Sequence, residues 1–164
     1  GNAPSLGSYA FYGVNNATVY YLAGAAGWGS WFGGLPTAMA TANGIPVSWL
    51  EGYGLPSDGS ADHQPSPDGG GFTVWQQWRA GTNPNDLEDD LLMTDFSIGG
   101  LQEHSVRWYS ASNRTYTVWR STGLLNNPSF ILLKKHVQGL DPITEYIDQT
   151  GFGATPCFYR VTVE

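Results

Sequence analysis

From Leu87 to Glu164 the chain repeats one arrangement six times: a short run that alternates apolar with polar residues, then a turn. The runs are Leu92 to Ile98, Ser105 to Ser110, Thr115 to Ser121, Phe130 to Lys135, Thr144 to Ile147 and Cys157 to Val163. Between them lie Gly99-Gly100, Ser112-Asn113, Asn126-Asn127-Pro128, Gly139 with Asp141-Pro142, and Gly151 to Pro156. Successive side chains of a strand point to opposite faces, so each run offers one face to a core and one to solvent. Strands at this spacing predict an antiparallel β-sandwich. The alternation also selects its core: Val106 with Trp108, Tyr116 with Val118, and Tyr159 with Val161 and Val163.

The rest of the chain is punctuated as heavily. Among 164 residues there are 22 glycines and 10 prolines, which leave room for turns, short strands and short helices only. Hydrophobic content of 41% against 13% charged is enough to build a core, so disorder is excluded by composition. The expected fold class is mostly β: a small capping β unit (1–41), short connecting helices (42–86) and the antiparallel β-sandwich (87–164). ATVYYL after the turn GVNN reads as a strand. Pro46 suits the first turn of a helix PVSWLEGYG that ends at Gly52 or Gly54, with Trp49, Leu50 and Tyr53 as its apolar side. A second helix is expected over Phe72 to Ala80, where Phe72, Trp75, Gln76 and Arg79 fall at i, i+3, i+4 and i+7 and Gly81 follows as the C′ residue. Ser57 to Gly71, rich in Gly, Pro, Ser and Asp, is the candidate linker.

Charge limits the partners. A net charge of −7 with 7 Lys+Arg in the whole chain offers no basic patch for phosphates, which disfavours nucleic acid and anionic membranes. An uncharged polymer suits such a surface better than a polyanion. No apolar run approaches the ~20 residues of a membrane span, so no membrane insertion is expected. The lone Cys157 has no partner for an intrachain disulfide and, within PCFYRVTV, reads as a small buried hydrophobe. The chain starts at Gly1 with neither an initiator Met nor a signal peptide, as a processed chain or a piece of a longer protein does.

Seven Trp and nine Tyr are the most conspicuous raw material for a site. If the strands of Val106 and Tyr116 are neighbours, Arg107, Tyr109 and Trp119 lie together on an outer surface, where flat rings beside polar groups suit the apolar faces of sugars. The competing reading is that another segment covers these rings. Trp28 and Trp31, with Phe32 among glycines, form a second candidate aromatic cluster, with capping as its alternative role. Catalytic residues are not assigned. Glu88, Asp89 and Asp90, and likewise Asp141, Glu145 and Asp148, lie in loop or edge contexts that fix no separation between carboxylates. His63, His104 and His136 lack metal-ligand spacing, and there is neither a phosphate-binding Gly-rich loop nor GxSxG. A non-catalytic chain is expected, with a glycan-active enzyme as the remaining alternative.

Pro65 to Asp86, PSPDGGGFTVWQQWRAGTNPND, places Ser66, Asp68 and Gly70 at alternate positions, turns at Gly71 and reaches Gln77 where a closing carboxylate would stand. The stretch resembles the calcium-binding repeats of the thrombospondin type-3 and dockerin-like kind, in the form DxDGDG…AGT(D/N)P. Of the acids in that pattern only Asp68 is present, with Ser66, Gly70 and Gln77 at the others. No cofactor is therefore expected, with calcium held at Asp68 as the alternative. NAPSLGSYAFYG, NATVYYL and GWGSWFGGLPT resemble the end of a BspA-like leucine-rich-repeat array. VRWYS…RTYTVWRSTGL…FYRVTVE resembles a fibronectin-type-III-like domain, and it implies that Glu164 is a natural end. Together these resemblances imply the C-terminal region of a large bacterial protein that is secreted or held at the cell surface. They imply a non-catalytic module that binds plant or host polysaccharide for an upstream enzyme or adhesin. The alternative is a structural module that anchors a surface protein or assembles, through upstream domains of the same polypeptide or self-association.

Overall fold

The structure is a computed structural model and describes residues 1–99, 103–124, 129–150 and 156–164. The turn signals at Gly100, at Asn126-Asn127-Pro128 and at Gly151 to Thr155 lie outside the described residues. The protein is mostly β, with short helices, and forms two compact units, Gly1–Trp75 and Gln76–Glu164. Residues 42–75 thus belong to the first unit and 76–86 to the second.

The first unit contains β1 (Val19–Leu22), β2 (Trp31–Phe32), β3 (Leu35–Ala40) and α1 (Val47–Gly52). β3 is the central strand. It pairs in parallel with β1, Val19 opposite Thr37 through Leu22 opposite Ala40, and antiparallel with β2. Pro46 supplies the fixed φ of −59° that leads into α1, and Leu50 turns the helix's apolar side inward, where it and Ile45 are fully buried. Asp62 is also fully buried. One carboxylate oxygen accepts from the Thr41 hydroxyl at 2.6 Å and from the Asn43 amide at 2.8 Å, which ties the loop before α2 to the exit of β3.

α2 (Val74–Ala80) carries the chain into the second unit. Gly81, at φ +82°, stands just past its end. Its N–H reaches the Trp78 carbonyl while the Thr82 N–H reaches Gln77, the paired bonds of a glycine-stopped helix. The Arg114 guanidinium adds bonds to the Trp78 and Arg79 carbonyls at 2.8 and 2.9 Å, meeting the negative end of the helix with a cation.

Six strands follow: β4 (Met93–Gly99), β5 (Glu103–Tyr109), β6 (Thr115–Ser121), β7 (Ile131–Gln138), β8 (Ile143–Asp148) and β9 (Phe158–Val163). They form two antiparallel sheets in the orders β4-β5-β8 and β7-β6-β9. The sheets meet through Val106 and Trp108 of β5 and Tyr116 and Val118 of β6, all fully buried, with the Trp108 and Tyr116 rings edge-on at 5.7 Å. Leu133, Val137, Tyr159, Val161 and Val163 pack around them, so the core has the residues that the alternation selects.

Toward the start of β5 the core becomes polar. Arg120 of β6 meets Asp148 of β8 at 2.5 Å, the Tyr159 hydroxyl donates to the same carboxylate oxygen at 2.8 Å, and His104 Nδ1 lies 2.8 Å from that hydroxyl. The network joins two strands of one sheet, β5 and β8, to two of the other, β6 and β9. Burial alone would raise the Asp148 carboxyl, yet bonds from Thr150, Tyr159 and Arg120 hold it below its ordinary value. Burial and the neighbouring carboxylate push the Tyr159 phenol up. Among the described residues no helix is long and apolar enough to cross a membrane.

Candidate functional site

The residues expected to form one platform are dispersed. β5 and β6 stack across the core and belong to different sheets, because the apolar sides that mark them as strands bury each other. Tyr109 and Arg107 therefore face outward on one sheet and Trp119 on the other. Arg107 stands in register between Asp95 of β4 and Glu145 of β8, a row of opposite charges. The Trp119 ring is taken up by its own sheet: its indole N–H donates to Thr162 at 3.2 Å, and the Arg160 guanidinium lies 5.2 Å from its centroid. Trp28 and Trp31 also part. Trp28 stacks on Tyr21 at 5.4 Å and 7°, packs on Phe32 and donates to the Gly1 carbonyl, whereas Trp31 is 66% exposed.

Tyr109 enters a different site. It ends β5 and is 39% exposed on the wall of a cleft of about 160 Å³. Asp89 and Asp141 line the same cleft, with Thr82, Ser110 and Pro142. Each is fixed by a local reason. Asp89 accepts from the Asn83 N–H at 2.9 Å with one oxygen, while its own N–H bonds the Asp86 carbonyl. Ser110 donates its N–H to Pro142 O and its hydroxyl to Leu140 O, and Thr144 donates to the Ser110 oxygen, so the β7–β8 turn carrying Asp141 is tied to the end of β5. Among the described residues nothing bonds the Tyr109 hydroxyl, the Asp141 carboxylate or the second oxygen of Asp89. The cleft thus offers an aromatic face beside carboxylate acceptors that lack donors, and a ligand bearing several O–H groups supplies both needs. At ~30 Å³ per water the volume holds about five waters, room for one sugar ring or a chain end rather than a long segment. Asp89 stands in an acidic run that reads as a solvated loop, and its convergence with Asp141 has no signal in the sequence beyond the turn at Pro142.

The loop around Asp68 has been closed by protein groups. The Ser66 hydroxyl lies 2.6 Å from Asp68 Oδ1 and 3.0 Å from the Phe72 carbonyl, and the Gly70 N–H donates to the same Asp68 oxygen at 2.8 Å. Ser66, Asp68 and Phe72 occupy the first, third and seventh positions of a calcium loop, so a hydroxyl stands where their oxygens converge. One carboxylate is too little anionic charge to offset the dehydration of a hard dication. Gln77, at the closing position, directs its amide to Asp90 at 2.6 Å and accepts from Thr82. These residues do not fit calcium.

No protein-family model matches the chain, and no curated protein or solved structure matches it.

Proposed function

We propose that the protein is a non-catalytic carbohydrate-binding module, secreted or held at the cell surface, and that the second unit takes one sugar residue of a plant or host polysaccharide in the Tyr109 cleft. The observation that carries this reading is the half-exposed Tyr109 ring set beside the unbonded oxygens of Asp89 and Asp141. The ring stacks on the C–H face of a pyranose, and the two carboxylates accept from its hydroxyls. The fibronectin-type-III-like resemblance is supported by the two facing three-stranded sheets, and the repeat-array resemblance by the parallel β1–β3 pair. Binding is expected to be independent of calcium.

The test is affinity electrophoresis on a panel of neutral polysaccharides, run with and without chelator. Tyr109→Ala is expected to weaken retardation about 5- to 20-fold, from the loss of ring stacking, and Tyr109→Phe to keep most of it. No retardation on any glycan sinks the reading.

A second reading, assembly, is favoured by the first unit. β1 is an edge strand of apolar sequence, with Tyr20 and Leu22 exposed, and Trp31 stands out on β2, the opposite edge of the same sheet. If assembly is the function, sedimentation shows a dimer or larger species that survives tenfold dilution, ignores added sugar and is lost on Trp31→Ala. A monomer throughout counts against it.

A further inference from the structure

The net charge of −7 conceals an uneven distribution of cations. Of the seven Lys and Arg residues, Arg79 lies in the last turn of α2, Arg120 is committed to Asp148, Arg114 to the end of α2, and Arg107 to a row of acids. Lys134, Lys135 and Arg160 all lie on one sheet, β7-β6-β9, and both lysines are exposed. The Arg160 guanidinium carbon is 5.2 Å from the Trp119 centroid and 4.6 Å from that of Phe130. Packing against rings orients the planar head while leaving its in-plane N–H donors unused. Among the described residues no oxygen accepts from Arg160. Glu164, one residue past the end of β9, continues the same alternation, about 13 Å along the chain. That carboxylate is occupied instead by the Thr117 hydroxyl and by the N–H and ring of His136. A bulge in β7 between the residues facing Tyr116 and Val118 brings His136, at φ +55°, into position for this.

We infer that the outer face of the β7-β6-β9 sheet is a second binding site, in which Arg160 takes the carboxylate of a uronic acid residue in an acidic polysaccharide. A guanidinium held flat presents two parallel N–H groups, which match the two oxygens of a carboxylate. Lys134 and Lys135, exposed on the edge strand β7, add longer-range attraction for a polyanion. Exposed Leu132, paired with Trp119, offers apolar surface beside the anchor. That the carboxylate belongs to a polysaccharide rests on the proposed carbohydrate-binding function; the vacant, oriented guanidinium does not.

The experiment is affinity electrophoresis of the whole chain in polygalacturonate, with fully methyl-esterified polygalacturonate and dextran sulfate as comparisons. The wild type is expected to be retarded by the free-acid polymer and not by the ester, although the protein is itself an anion. Arg160→Gln is expected to weaken retardation about 10- to 100-fold, the value of a charge-assisted bidentate contact. Arg160→Lys keeps the charge and loses the fork, and is expected to fall between the two. Its thermal midpoint, alongside that of the Gln variant, shows whether the sheet is intact. Equal retardation of wild type and the folded variants, equal retardation by the ester, or equal binding to dextran sulfate overturns the assignment. Binding of neutral glycans without binding of polygalacturonate rejects this site and leaves the Tyr109 cleft standing. Arg160-dependent binding of polygalacturonate without any neutral glycan does the reverse, and no binding at all rejects both.

Discussion

Arg120→Met is expected to destabilise the second unit by about 3 kcal/mol, the lower end of what removing one partner of a buried ion pair costs. Both side chains of the Arg120–Asp148 pair are almost inaccessible to solvent. The variant leaves a carboxylate in the interior with only the Tyr159 and Thr150 donors. Those remaining bonds place the cost at the lower end. For a unit of this size the loss lowers the thermal midpoint by roughly 12–24 °C. The double variant Arg120→Met with Asp148→Leu is expected to recover most of it, because no buried charge is then left alone. The pH dependence has a definite sign. Asp148 is held below its ordinary value of 3.8, so its contribution is present above that pH and lost as pH falls through the folded-state value. The gap between wild type and Arg120→Met therefore narrows in acid. Urea unfolding at pH 7 and pH 3 measures this, and a single variant as stable as wild type at pH 7 refutes the account.

Gly139→Ala is expected to cost about 3 kcal/mol, the upper end of the usual range for overpacking. A Cβ at this position would overlap the Ala111 carbonyl and press on the Tyr116 ring at 2.9 Å. Neither neighbour can retreat easily. The Tyr116 ring is fully buried and its hydroxyl accepts from the Ala111 N–H at 2.9 Å, while Gly139 itself donates to the Arg114 carbonyl. Gly123→Ala is the matched control: a Cβ there meets nothing within 4 Å, and a change within ~0.5 kcal/mol is expected. Thermal denaturation of the pair separates a steric cause from a general cost of replacing glycine. Equal midpoints would remove the steric argument.

Much of the second unit is legible in the sequence because its alternation is strong. All six runs become strands, and Thr115 to Ser121 does so residue for residue. Alternation fixes which face of a strand is buried, but it says nothing about which strand lies beside it. That is why Tyr109 and Trp119, expected together on one outer surface, end on opposite sheets. β3 is not legible: LPTAMA mixes proline, small residues and one methionine, and neither alternation nor β-branching marks it. The Tyr109 cleft depends on a loop after α2 meeting the β7–β8 turn, a tertiary event without a local signature. Net charge is an average over the chain, and it hides Lys134, Lys135 and Arg160 on a single sheet.

The burial of Trp108 also makes the second unit optically separable. Of the seven tryptophans it alone is wholly enclosed, whereas Trp31 is mostly in water. Its indole, shielded by the Tyr116 ring, emits at shorter wavelength than an indole in water and is hidden from a collisional quencher that reaches Trp31 freely. With acrylamide present, the Trp108 share of the emission is expected to be the last quenched, and its loss on denaturation reports the separation of the two facing sheets.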